Sequence, residues 1–131
     1  MLDFDDEQVV LKGPAATIAY AMKANGKMPA KEFLESTKGK DAPSRQEKAG
    51  LIHLFQLMVN KGKIYNKELF RKLRGNIFEF KKNQVRLLAF REGNIWYLTH
   101  GFKKKKNKCE IKEIERAEGI RSEQLGKFRK L

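Results

Sequence analysis

Three basic residues of the C-terminal half, Arg86, Lys81 and Lys104, could together cleave RNA without a metal ion. The ribose 2′-hydroxyl is an internal nucleophile, so a protein need only align it, accept its proton and stabilise the charge that develops on the phosphate. Arginine suits the last task because it is always charged and can grip two phosphate oxygens. A lysine crowded by other cations can transfer a proton near neutrality. The same residues could instead bind phosphate without cutting it, and composition alone favours that simpler role.

Other kinds of catalytic site lack their parts in this sequence. His53 and His100 are the two histidines and Cys109 is the single cysteine, and their spacing does not resemble a metal-ligand set. Neither histidine is near a serine framed by glycines, and no glycine-rich phosphate loop occurs. The sequence therefore predicts neither a metal ion nor a small-molecule cofactor. His53 falls mid-helix among core residues and is expected to be a helix-surface or packed histidine rather than a base, whereas His100 could serve either the structure or the site.

The net charge of +13 belongs to one half of the chain. Residues 1–59 hold eight Lys/Arg and eight Asp/Glu, whereas residues 60–131 hold 21 Lys/Arg and eight acidic residues. Lysines placed for solubility would be spread through both halves, so this segregation favours a polyanionic partner, with nucleic acid well ahead of a membrane surface. The candidate nucleic-acid-binding residues are Arg74, Lys82, His100, Lys103, Lys105, Lys106 and Lys108.

Length and cysteine content indicate a single cytoplasmic domain. A chain of 131 residues is the size of one domain, here 1–131 with an N-terminal extension at 1–14 and a C-terminal tail at 121–131. One cysteine cannot form an internal disulfide, and no apolar stretch approaches the ~20 residues that a membrane helix requires. The acidic N-terminus has the wrong charge for a secretory signal. We therefore expect cytoplasmic localisation.

The first half of the chain predicts one strand followed by helices. Residues 15–23 are rich in β-forming side chains, and residues 30–36 follow a proline suited to a first helical turn. Ser44–Glu47 has the pattern of a capping box, and apolar residues recur behind it at helical spacing up to Gly62. Residues 66–73 could add a further helical turn, with three apolar side chains inward.

The second half predicts a meander of strands and a last helix. Apolar and charged residues alternate at 76–81, and apolar strands joined by short turns follow at 84–90 and 95–102. A helix at 110–118 ends where Gly119 interrupts it. This order predicts an α+β fold: an antiparallel twisted sheet of about four strands, with helices packed on one face. The opposite face is expected to be open and charged.

Four segments in a fixed order carry a resemblance to a known toxin superfamily. They are Leu-Arg-Gly-Asn-Ile-Phe-Glu-Phe-Lys at 73–81, Val-Arg-Leu-Leu-Ala-Phe at 85–90, His-Gly-Phe followed by the lysine run at 100–108, and Glu-Ile-Glu-Arg-Ala at 113–117. This pattern resembles the RelE/ParE superfamily, and is most similar to its HigB-like, phage-derived branch of type II toxin–antitoxin toxins. The resemblance covers about residues 44–120.

The resemblance implies a RelE-like fold and a ribosome-dependent mRNA interferase. Such a toxin enters the ribosomal A site and cuts mRNA by 2′-hydroxyl attack without a metal, and a cognate helix-turn-helix antitoxin neutralises it. By position, Arg86 matches the strand arginine of the superfamily, while Lys104 and Lys105 match its lysine pair. Lys81 takes the place of a second arginine.

Two departures from the superfamily pattern keep other functions open. Lys81 retains the charge of the usual arginine but lacks its bidentate fork, and Cys109-Glu110 replaces a Thr-Pro pair before the last helix. The superfamily also contains gyrase poisons that cut nothing, so a ParE-like gyrase inhibitor is one alternative. A non-catalytic RNA- or ribosome-binding module is the other.

Overall fold

A mixed six-stranded sheet forms the centre of the protein. The computed structural model describes residues 6–105 and 110–129. The strands are β1 (Val9–Lys12), β2 (Thr17–Tyr20), β3 (Phe70–Arg74), β4 (Ile77–Lys82), β5 (Val85–Glu92) and β6 (Ile95–Lys103), and they lie in the order β1-β2-β6-β5-β4-β3. The helices are α1 (Pro29–Glu35), α2 (Arg45–Lys61) and α3 (Glu110–Arg129), with a short 3-10 helix at Asp6–Gln8.

The sheet has six strands rather than about four, and it is not wholly antiparallel. β2 runs parallel to β6, with Thr17 beside Ile95, while all the other neighbours are antiparallel. The predicted helical turn at 66–73 is correct only at its start, where the backbone N–H groups of Leu69 and Phe70 donate to Asn66 O at 3.0 and 3.1 Å; Phe70–Arg74 then forms the edge strand β3. The ring of Phe70 packs on Phe80 and Trp96, with centroids 4.8 and 5.3 Å away. These distant aromatic contacts outweigh the local helical pattern.

Helices cover both faces of the sheet, so the prediction of helices on one face is also wrong. Leu87 belongs to the cluster that packs under α1 and α2, whereas Leu88 and Phe90 belong to a second cluster under α3. β5 is buried over its first six residues, and a strand that is apolar on both sides needs cover on both sides.

The capping box that begins α2 is confirmed. Ser44 Oγ accepts the backbone N–H of Glu47 at 3.1 Å, and the Glu47 carboxylate accepts the backbone N–H of Ser44 at 2.9 Å. Gly62 ends the helix in the left-handed conformation, with φ of 76°. The buried face of α2, which includes Leu51 and Phe55, lies on the sheet.

α3 continues through Gly119, where the sequence predicts an interruption. Ala117 and Ile120 are buried on either side of that glycine and hold the helix against the sheet. The residues predicted as a separate tail therefore continue α3 as far as Arg129. Gln124 is buried there, and its Oε1 accepts hydrogen bonds from Gln8 Nε2 at 2.8 Å and from the Met22 backbone at 2.7 Å. These bonds join α3 to the N-terminal segment.

None of the helices in 6–105 and 110–129 combines the length and the apolar character that crossing a bilayer requires.

Candidate nucleic-acid-binding and catalytic site

Arg86 and Lys81 lie opposite each other on adjacent strands. The register of β4 and β5 pairs them directly, and directly paired residues of antiparallel strands project from the same face. That face is the one under α3, because Leu88, two residues along β5, packs in the α3 cluster. The structure thus brings two of the three predicted catalytic residues together.

The Arg86 side chain is held in place by the turn between β4 and β5. Its Nη1 donates to the carbonyl oxygens of Asn83 at 2.7 Å and Val85 at 3.1 Å, and the residue is only 6 % exposed. Its Nε is buried and has no hydrogen-bond partner among the described residues. A buried donor without a hydrogen bond costs free energy, and the Glu79 carboxylate, 3.8 Å from Nε, offsets part of that cost.

Glu79 lies between two arginines on this face. Arg71 Nε donates to Glu79 Oε1 at 2.8 Å, and Arg86 Nε lies 3.8 Å from Glu79 Oε2. The carboxylate is 1 % exposed, and a buried charge is tolerated only when it is paired. The pairing of Arg71 with Glu79 was not predicted, because the local apolar spacing placed Arg71 in a helical turn. The alternation along β4 did indicate that Glu79 and Lys81 lie on one face of that strand, where Glu79 needs a cationic partner.

Lys82 and Lys103 lie on the opposite face of the sheet from Arg86. The stem of Lys82 rests on α2, where a Cβ added at Gly50 would approach Lys82 Cδ to 2.6 Å. Lys103 Nζ lies 3.5 Å from Glu47 Oε1, at the beginning of α2. These two predicted nucleic-acid-binding residues therefore do not share a face with the predicted catalytic pair.

The lysine run leaves the sheet beside the turn that anchors Arg86. The Lys104 backbone N–H donates to Gln84 O at 2.7 Å, so the run begins at the same end of the sheet as Arg86 and Lys81. Lys105 is exposed. Lys106 and Lys108, together with Cys109, lie outside the described residues.

Arg74 lies at the other end of the sheet, and His100 lies inside the protein. Arg74 is exposed and pairs with Ile77 at the start of β4, the far end of that strand from Lys81. His100 is 1 % exposed; its Nε2 lies 3.0 Å from Glu113 Oε1 of α3, and its ring stacks on Phe102. The contacts of His100 join β6 to α3.

Trp96 and Tyr97 are both buried. Trp96 belongs to the cluster under α1 and α2, and Tyr97 to the cluster under α3. Because helices cover both faces, core packing accounts for both rings.

Glu47 fastens the N-terminus of α2 to the basic end of the sheet. Its hydrogen bond from the Ser44 backbone lowers its pKa below the ordinary value of 4.5, with help from Lys103 and the Asn83 amide, although burial acts in the opposite direction. A carboxylate with a lowered folded-state pKa stabilises the fold above its unfolded pKa, and that stabilisation is lost as the pH falls through the folded value.

We expect Glu47→Gln to lower the free energy of unfolding at pH 7 by about 1 kcal/mol, because the cap loses its charge and weakens its hydrogen bonds. The difference from wild type should shrink as the pH falls from 5 towards 3, where wild-type Glu47 also becomes protonated. Urea unfolding at both ends of this range measures it. Glu68→Gln, which alters an exposed carboxylate, is the control. An equal difference at both pH values would contradict the assignment.

Within the described parts of the chain, no group of three or more His, Cys, Asp or Glu side chains is arranged to hold a metal ion.

The fold and the site define an α+β protein whose sheet has a basic end with an anchored arginine. Residues 40–121, more than half of the chain, match the sequence model of the family described as "Phage derived protein Gp49-like (DUF891)". The chain belongs to this family, which is associated with RelE-like toxin–antitoxin toxins. The matched region begins just before α2 and ends within α3, so it contains β3 to β6. No curated protein matches the chain.

Proposed function

We propose that the protein is the toxin of a type II toxin–antitoxin system, and that it is a RelE-like, ribosome-dependent mRNA interferase. Its family supports the first part of the proposal. The observation that carries the second part is Arg86, whose guanidinium is held by two backbone carbonyl oxygens at the basic end of the sheet and lies opposite Lys81 on the paired strand. Cleavage proceeds by attack of the ribose 2′-oxygen on the adjacent phosphorus, which breaks the bond from phosphorus to the 5′-oxygen of the next nucleotide and leaves a 2′,3′-cyclic phosphate and a 5′-hydroxyl; the 2′-hydroxyl gives up its proton, the 5′-oxygen gains one, and no metal ion takes part.

In this proposal the three predicted residues divide the work. Arg86 stabilises the charge that develops on the phosphate, and its bonds to two carbonyl oxygens mean that little reorganisation is needed during the reaction. Lys81 adds a second positive charge from the paired position on β4. Lys104 brings a third from the start of the lysine run, and one of the two lysines transfers the proton.

The proposed partners are mRNA on the ribosome and a cognate helix-turn-helix antitoxin. The excess of 21 Lys/Arg over eight acidic residues in 60–131 supports a polyanionic partner. The antitoxin is proposed from the association of the family with toxin–antitoxin toxins. Co-expression with the product of an adjacent small reading frame should restore growth that the protein alone arrests.

Primer extension on a translated message tests the activity. The wild-type protein should cut the message in a cell-free translation reaction and leave the same RNA intact when ribosomes are omitted. Tight, salt-sensitive RNA binding without any cut product would instead indicate a non-catalytic binding module. Intact messages together with a DNA-damage response in cells would indicate a ParE-like gyrase inhibitor.

We expect Lys81→Ala to slow cleavage by about 10- to 100-fold, because the phosphate loses one of its two closest proposed cations. Lys81→Arg should cut at least as fast as wild type, since it keeps the charge and adds a bidentate fork. Lys82→Ala is the matched comparison from the opposite face, and we expect it to cost less than about threefold through weaker general attraction. Equal losses in Lys81→Ala and Lys82→Ala would contradict the proposed face.

A further inference from the structure

The loop between α2 and β3 presents an aromatic ring to solvent. Tyr65 is 85 % exposed, more than Ile52 at 40 % or Ile111 at 50 %. A single exposed apolar residue is ordinary on a protein surface. Tyr65 differs because it lines two adjoining clefts, of about 700 and about 430 Å³, that lie along this loop and the edge strand β3.

The two clefts are strongly basic. Among the described residues, their lining contains a single acidic residue, Glu68. We refer to their cationic residues as the basic strip: Lys61, Lys63, Lys67, Arg71, Lys72 and Lys81. Cations on both sides of an exposed aromatic ring are the arrangement by which proteins bind single-stranded nucleic acid, with phosphates on the cations and a base on the ring.

The basic strip leads to the proposed catalytic pair. Lys81 lines the larger cleft, and it is also the residue paired with Arg86 across β4 and β5. The Lys81 backbone N–H donates to Leu69 O at 2.8 Å, which ties the loop to β4. Asn66 supports the same loop, since its side chain accepts the Glu68 N–H at 2.9 Å. Tyr65 therefore adjoins a hydrogen-bonded turn at a defined place beside the site.

We propose that Tyr65 stacks on an unpaired base of RNA while the basic strip binds the neighbouring phosphates. The message nucleotides next to the cleaved bond would then lie along the outer edge of β3. This inference rests on the proposed function for the identity of the RNA as message, but the stacking site requires only an RNA single strand. A duplex cannot use the ring in this way, because its bases are already stacked.

Fluorescence anisotropy with a short labelled oligouridylate tests the proposal. Tyr65→Ala should weaken binding by at least about fivefold, whereas Tyr65→Phe should stay within about twofold because it keeps the aromatic face. The double variant Lys67→Gln with Lys72→Gln should weaken binding and lower the salt slope by about 1.4, roughly 0.7 for each phosphate contact on a single strand. Ile52→Ala and Lys12→Gln are the controls, since they change an exposed apolar residue on α2 and an exposed lysine on the opposite edge strand.

The outcomes separate this inference from the proposed function. Equal RNA affinity in wild type and Tyr65→Ala would overturn the inference, even if ribosome-dependent cleavage still required Arg86. A duplex RNA that competes as well as the single strand would also overturn it. Loss of RNA affinity in Tyr65→Ala, with no message cleavage by the wild type, would support the stacking site and refute the proposed activity.

Discussion

Arg86→Ala is expected to slow ribosome-dependent mRNA cleavage by about 100- to 1000-fold, the cost typical of losing one preorganised donor to a transition-state oxyanion. Arg86→Lys should recover only part of this loss, because an ammonium group cannot reproduce the planar fork that bonds to Asn83 and Val85. Primer extension on a translated message measures the rates. Each variant is diluted until it cuts the same fraction of the message, so that the rates can be compared.

Arg91→Ala is the matched control for this experiment. Arg91 is also an arginine of β5, but it is exposed and its Nε donates to Gly93 O at the other end of the strand. We expect its removal to leave cleavage within about threefold of wild type. Because Arg86 is buried, thermal unfolding of each variant must accompany the rates. A folded Arg86→Ala protein that cuts as fast as wild type would refute the proposed role.

Glu79→Ala should cause the largest loss of stability among the charged residues of the site, about 3 kcal/mol. The change leaves the buried Arg86 guanidinium without its neighbouring carboxylate, which lies 3.8 Å from its Nε. It also removes the 2.8 Å bond from Arg71, but Arg71 is 40 % exposed, so water can replace much of that interaction. Urea unfolding at neutral pH measures the loss.

Two further variants show whether the loss of charge pairing causes the lower stability of Glu79→Ala. Glu115→Ala removes an exposed carboxylate from α3 and should change the free energy of unfolding by less than about 0.5 kcal/mol. Combining Glu79→Ala with Arg86→Leu should recover part of the stability, because no buried charge is then left alone. If the free energy of unfolding of Glu79→Ala lies within 1 kcal/mol of the wild-type value, the pairing of Glu79 with Arg86 does not contribute significantly to stability.

Several local features follow from neighbouring residues and could be predicted. The capping box at Ser44 and Glu47 depends on residues three apart, and the structure contains both of its hydrogen bonds. The charge asymmetry is likewise a property of the sequence, and the basic strip belongs to its positive half. The pairing of Lys81 with Arg86 was not predicted, because it depends on the register of β4 and β5, which the structure sets with a two-residue turn.

Features that depend on distant residues were not predictable in this way. Residues 66–73 satisfy a helical spacing, yet Phe70 is in a strand because Phe80 and Trp96 offer its ring a larger apolar contact. α3 packs on the face expected to be open, which buries His100 against Glu113 and Tyr97 within the core. Burial and ion pairing of Arg86 and Glu79 arise only when three strands and a turn assemble, since each contact joins residues that local patterns do not connect.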